Sequence, residues 1–134
     1  MNVPCMIMLV DDDEDDQMIF MSAVSDISAH IDCKCFGSAE QGLEALRTND
    51  QQRPHCIFLD LNLPFMNGFE FLKLVKNSPG LDSIPIIIYS TSSRDTDRLK
   101  AMELGALNFF SKPTSFSEIK EGISEHLMSI KECS

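Results

Sequence analysis

The chain has 134 residues, the length of one ordinary domain, with 43% hydrophobic and 24% charged residues. Against 11 basic residues it carries 21 acidic ones, a formal net charge of -10, which argues against a nucleic-acid surface built on clustered Lys and Arg. The first apolar stretch has no basic flank and ends in acids, and no run reaches the ~20 apolar residues of a membrane span, so a soluble, cytoplasmic protein with no membrane contact is expected.

Strand one is predicted at Cys5 to Val10, an unbroken apolar run of the kind buried on both faces of a parallel sheet. Six consecutive acids, Asp11 to Asp16, follow it. Helix one is expected from about Asp15 to Ile27, its acidic first turn suiting the positive end of the helix dipole. Strand two, Ile31 to Phe36, alternates Asp and Lys with Cys and Phe and reads as a half-exposed edge strand. Helix two opens at Gly37-Ser38, where Ser38 and Gln41 form a capping-box pattern ahead of Leu43, Ala45 and Leu46.

Strand three is His55 to Leu59, and helix three runs from about Asn67 to Lys76, stopped by Asn77-Ser78-Pro79-Gly80. Strand four, Ile84 to Tyr89, is the most apolar and is expected to be a central strand. Helix four is Ser93 to Leu104, ended by Gly105. Strand five is Leu107 to Ser111, and helix five runs from Ser115 to about Ile130. Five strands alternating with five helices predict an α/β three-layer sandwich: a doubly wound, five-stranded parallel sheet with right-handed crossovers. No linker divides the chain, so residues 1–134 are expected to form one domain without a separate output domain.

The five cysteines, Cys5, Cys33, Cys35, Cys56 and Cys133, are odd in number and lack CxxC spacing. Cys33 and Cys35 share one strand face, too close along the backbone for an ordinary disulfide. With isolated histidines they complete no zinc pattern. Buried or inert thiols in a reducing cytoplasm are expected.

Chemistry gathers at two strand tips. Asp60 ends the run Cys56-Ile57-Phe58-Leu59, and Asp11, Asp12 and Asp13 end strand one. Carboxylates at the carboxyl edge of such a sheet lie where open α/β folds bind ligands. Together they form an oxygen-rich pocket that repels itself until a hard cation enters, and Mg²⁺ suits it. An EF-hand is excluded, because Asp16 stands where Gly is needed and Ser22 where the bidentate Glu belongs.

Four segments in order resemble one known family: Leu9-Val10-Asp11-Asp12, Phe58-Leu59-Asp60-Leu61-Asn62-Leu63-Pro64-Phe65-Met66-Asn67-Gly68, Ile88-Tyr89-Ser90-Thr91 and Phe110-Ser111-Lys112-Pro113. The chain resembles, over essentially its whole length, a response-regulator receiver domain of two-component signalling, of the stand-alone, chemotaxis-regulator-like kind. The resemblance implies the flavodoxin-like strand order 2-1-3-4-5 with the site at the switch point. It implies Asp60 as phosphoacceptor and a Mg²⁺ site of Asp11, Asp12, Asp60 and the backbone carbonyl of Asn62, with Asp12 the direct ligand of the acidic pair. Asp13 is an extra acid just past that pair. Lys112 is then the cation that pairs with the phosphoryl group, and its bond to Pro113 is expected to be cis. Ser90 is the hydroxyl that swings toward the phosphoryl group. Phe109 stands at the aromatic switch position, where Tyr is common, and is expected to turn inward on activation without Tyr's hydroxyl.

The implied function is a non-enzymatic switch that accepts a phosphoryl group from a sensor histidine kinase or a histidine phosphotransfer protein. It then acts on a downstream protein target that the residues do not name. Helix one and the loop after strand five usually dock the kinase. Helix four, strand five and helix five usually carry the output, and a homodimer through that face is one form it takes. Alternatives are a phosphate relay or sink, or a degenerate receiver serving as a binding module. A flavodoxin-type carrier would need a Ser/Thr-rich phosphate loop where this chain has acids. A haloacid-dehalogenase-like phosphatase would make Asp11 the nucleophile and leave Asp60 unexplained.

Overall fold

The computed structural model describes residues 5–48 and 53–133. Strands β1 (Cys5–Val10), β2 (Ile31–Phe36), β3 (Cys56–Leu59), β4 (Ile86–Ser90) and β5 (Asn108–Ser111) pair in parallel, in the order β2-β1-β3-β4-β5. Helices α1 (Glu14–Ile27), α2 (Ala39–Thr48), α3 (Gly68–Lys76), α4 (Asp95–Glu103) and α5 (Phe116–Met128) connect or follow them, and a 3-10 turn closes at Lys131–Cys133. This is the flavodoxin-like, doubly wound α/β sandwich expected.

The strand pleat sends alternate side chains to two cores. Ile57 and Leu59 of β3, with Ile86 and Ile88 of β4, face Leu43 and Leu46 of α2, Phe71, Leu72 and Val75 of α3 and Ala101 of α4. Phe58, Ile87 and Tyr89 face Phe20, Ala23 and Val24 of α1 and Ile119, Ile123 and Leu127 of α5. Phe20 is wholly buried and meets Phe58 edge-on, 5.1 Å between centroids, a geometry aromatic pairs favour. Every residue of β3 and β4 is buried, whereas β2 exposes Asp32 and Lys34 as an edge strand does.

β4 is an interior strand between β3 and β5, as its apolarity suggested, and β3 holds the middle of the order. Apolarity reports that both faces are covered, not the pairing order. β4 also starts at Ile86 rather than Ile84. Ile84 donates to the Leu81 carbonyl in a turn, at 3.1 Å, and Pro85 has no N–H for a ladder. α4 is shorter than expected at both ends. Ser92, ahead of the predicted start, accepts from Arg94 N–H and donates to Asp97. Gly105 does close the helix with φ +106°, a conformation that favours glycine.

The expectation of five inert thiols is corrected at two positions. Cys5 and Cys133 form a disulfide with their Cα atoms 4.9 Å apart, across 128 positions of sequence. Helix α5 and the 3-10 turn carry the C-terminal segment back to the start of β1, a proximity that spacing does not reveal. Cys33, Cys35 and Cys56 are free thiols. Proximity of the two thiols raises the Cys33 pKa and lowers that of Cys35.

Candidate functional site

Parallel pairing of β1 with β3, Val10 beside Leu59, puts Asp11 and Asp60 side by side just past the strand ends. Their backbones extend the ladder by one bond each: Asp11 N–H to the Phe36 carbonyl and Asp60 N–H to the Val10 carbonyl, both at 3.0 Å. Asp11 is 0% and Asp60 6% exposed, while Asp12 points to solvent. Carboxylate oxygens of Asp11, Asp12 and Asp60 all lie within 4.8 Å of one another. Asp13 is outside this group; it is the α1 N-cap, accepting from Asp16 N–H at 3.1 Å. Its own N–H donates to Asp11 Oδ1 at 3.0 Å.

The loop after β3 brings in Asn62, whose N–H donates to Asp60 Oδ1 at 3.2 Å. Its return requires glycine at position 68, because a Cβ there would collide with the backbone of Asp60 and Leu61. Gly68 is thus a tight helix start beside the acid. The intervening Phe65 is 95% exposed, with φ +63°, an uncommon backbone region for a bulky residue.

Lys112 follows β5, its N–H donating to the Ser90 carbonyl at 2.8 Å. Its ammonium lies 2.7 Å from Asp11 Oδ2, 2.8 Å from Asp16 Oδ2 and 3.3 Å from Asp60 Oδ2. It reaches them although no peptide bond among the described residues is cis. The expected cis Lys112–Pro113 bond is therefore corrected to trans; the backbone bond to β4 already aims the side chain at the acids. Ser90 is fully buried at the end of β4, and its hydroxyl accepts from Ser92 N–H at 3.5 Å. Phe109 is only 6% exposed, with the Arg98 guanidinium 5.3 Å from its ring centroid. Its ring is already inside, so an inward turn on activation starts from a buried position.

Asp16 was legible only as one of several first-turn acids. Yet it stands four residues before buried Phe20 and eight before buried Val24, the helical spacing of the inward face. That stripe is the signal that separates it from its exposed neighbours Glu14 and Asp15.

Burial raises the Asp11 pKa to about 6 although Lys112 and the Asp13 N–H lower it. Burial also works to lower the Lys112 pKa, but Asp11 and Asp16, and then Asp60, outweigh it and hold the ammonium above the usual lysine value. Asp11 Oδ2 is a buried oxygen with no hydrogen-bond donor of good geometry. An under-satisfied buried carboxylate beside two more fits a divalent cation.

A pH dependence follows. Between 3.8 and about 6 the folded chain keeps a proton on Asp11 that the unfolded chain has released. This contribution to stability is fully present below 3.8 and is lost as pH rises through about 6. Urea unfolding in EDTA is expected to show it as a slope that Asp11→Asn lacks. Identical pH profiles for the two proteins would show that Asp11 has no raised pKa.

The response regulator receiver domain model matches residues 7–124. A protein-glutamate methylesterase/protein-glutamine glutaminase of Methanococcoides burtonii is 32% identical over 111 residues, covering 80% of this chain and 30% of that protein. The chain thus spans under a third of that relative's length. A probable methanogenesis regulatory protein of Methanothrix harundinacea, FilR2, is 29% identical over 125 residues, covering 91% of this chain and 81% of that one. Among solved structures, the phosphorylated cyanobacterial phytochrome response regulator RcpA is 27% identical with a TM-score of 0.85, covering 94% of this chain and 95% of that one. A phosphorylation-regulated signalling role goes with the receiver fold. The acids at the ends of β1 and β3, met by a lysine from the end of β5, fall within the matched span, and the chain belongs to the response-regulator receiver domain family.

Proposed function

We propose that Asp60 accepts a phosphoryl group from the phosphohistidine of a sensor kinase or histidine phosphotransfer protein, and that the resulting aspartyl phosphate alters binding to a protein target. One observation carries this reading: a nearly buried Asp60 shares a pocket with Asp11 and Asp12, and the Lys112 ammonium is 3.3 Å from its Oδ2. In the transfer, an Asp60 carboxylate oxygen forms a bond to phosphorus as the phosphorus–nitrogen bond of the donor breaks. The electron pair leaves with the donor imidazole, and no redox change occurs. The Asn62 N–H on Asp60 Oδ1 orients the carboxylate, and Lys112 offers a charge to the incoming oxygens. Ser90 and Phe109 are proposed as the switch residues, and Lys112 as the residue that reads the phosphoryl group.

Asp11, Asp12, Asp60 and the Asn62 carbonyl are the proposed Mg²⁺ ligands. The ion, when bound, supplies charge neutralisation at the phosphoryl oxygens. It relieves like-charge repulsion and binds only the folded state, so the metal-free protein is expected to become more stable on adding Mg²⁺. Beryllofluoride, a phosphoryl mimic, is expected to bind in Mg²⁺ and only poorly in EDTA. Equal uptake in both would remove the metal from the site.

Exposed apolar side chains support the proposed protein contacts. Met18, Ile19 and Met21 of α1 with Phe116 of α5 suit kinase docking, and Leu99 and Met102 of α4 with Leu107 suit output. The output is proposed to pass to another protein, or to a second copy across that face, without nucleic acid or a membrane. Among the described residues no helix is long and apolar enough to cross a membrane; cytoplasmic location is part of the proposal.

The burial of Phe109 favours a second reading, a phosphate relay or sink in which phosphorylation needs no large rearrangement. Amide NMR separates the two. In a switch, beryllofluoride perturbs amides across α4 and β5; in a relay, the changes stay around Asp60.

A further inference from the structure

We infer that Asp16 is a positioning residue that holds Lys112 in the resting state and competes for it with the phosphoryl group. The inference rests on Asp60 as phosphoacceptor and deepens that reading. An ammonium has three donors. Here three carboxylates surround it: Asp11 at 2.7 Å, Asp16 at 2.8 Å and Asp60 at 3.3 Å. Lys112 therefore lies closer to Asp16 than to the acceptor itself, and its ammonium hydrogen-bonds both while facing Asp11 as an ion pair. A phosphoryl oxygen arriving at Asp60 competes with these carboxylates for the same ammonium.

The surroundings select which of them yields. Asp11 is fully buried, its other oxygen held by Asp13 N–H, so water cannot take the place of Lys112 beside it. Asp60 would itself carry the phosphoryl group. The Asp16 side chain is 33% exposed, so water can replace the lysine at low cost. Asp16 also lies outside the group of Asp11, Asp12 and Asp60 whose oxygens converge, so a cation held by those three would not take the place of Lys112 as its partner. It sits in the first turn of α1, where the helix dipole stabilises its charge after the lysine leaves.

The test is a beryllofluoride titration in saturating Mg²⁺, with chemical denaturation of each protein alongside. Asp16→Asn is expected to bind about five- to tenfold more tightly, because the rival charge is gone. Asp16→Glu, which keeps the charge, is expected to stay near the unchanged chain. Asp15→Asn neutralises an exposed acid in the same turn and is expected to shift affinity less than about twofold. An Asp16→Asn protein that binds equally or more weakly overturns the inference. So does an equal gain in Asp15→Asn, which would mean a general field effect, or a stability loss in Asp16→Asn without any affinity gain. If the unchanged chain takes up no beryllofluoride, the Asp60 reading falls and this inference with it.

Discussion

Asp60→Asn is expected to abolish phosphorylation by acetyl phosphate or phosphoramidate while leaving the fold intact. The amide keeps the shape and an oxygen that can still accept the Asn62 N–H, now 3.2 Å from Asp60 Oδ1. It loses the negative charge that makes the side chain a nucleophile toward phosphorus. Stability is expected to change by about 1 kcal/mol or less: a charge-assisted contact to Lys112 weakens, but repulsion from Asp11 and Asp12 is relieved. Intact-mass analysis checks the first claim and chemical denaturation the second. A phosphoryl adduct on the variant would show that the acceptor lies elsewhere. Lys112→Ala tests the other half of the mechanism. It is expected to permit some phosphorylation but to block the response on α4 and β5, because the ammonium that reads the phosphoryl group is gone. It also leaves buried Asp11 without its cation, so this variant needs Mg²⁺ to stay folded.

Reduction of the Cys5–Cys133 bond is expected to have the largest effect on stability. The bond joins positions 128 apart, so it restricts nearly the whole unfolded chain. The chain-entropy model gives about 5 kcal/mol for closure on that scale, and engineered bonds commonly deliver less, so about 3–5 kcal/mol is expected. For a domain of this size that is roughly 10–20 °C in Tm. Thermal melts with and without reductant measure it, and Cys5→Ser/Cys133→Ser is expected to match the reduced chain and ignore reductant. Equal melting of oxidised and reduced chains would show that the bond does not constrain the unfolded state. Phosphorylation is expected to be unaffected, because Cys5 starts β1 and Asp11 follows its other end, about 20 Å away.

Much of this molecule is written locally. The runs Cys5–Val10 and Cys56–Leu59 must be strands covered on both faces, because their side chains offer no polar face to water. Ser38 with Gln41, Asn67 and Gly105 mark helix ends through hydrogen bonds and backbone angles that act over a few residues. The juxtaposition of Asp11 with Asp60 was legible too, since acids at the tips of neighbouring parallel strands share one sheet edge. Lys112 was legible through its place after strand five in the family resemblance.

What the chain order could not carry were contacts between elements. Apolarity marked β4 as an interior strand, but which strands flank it is set by hydrogen-bond pairing. The trans Lys112–Pro113 bond, the inward resting place of Phe109 and the grip of Asp16 on Lys112 depend on how α1, α4 and β5 pack against their neighbours. The pairing of Cys5 with Cys133 depends on where α5 ends. Hydrophobic period and capping chemistry act over one or two turns, so residues alone determine the elements and the sheet edge that bears the acids. Distances across the chain are set by packing, which only the tertiary structure decides.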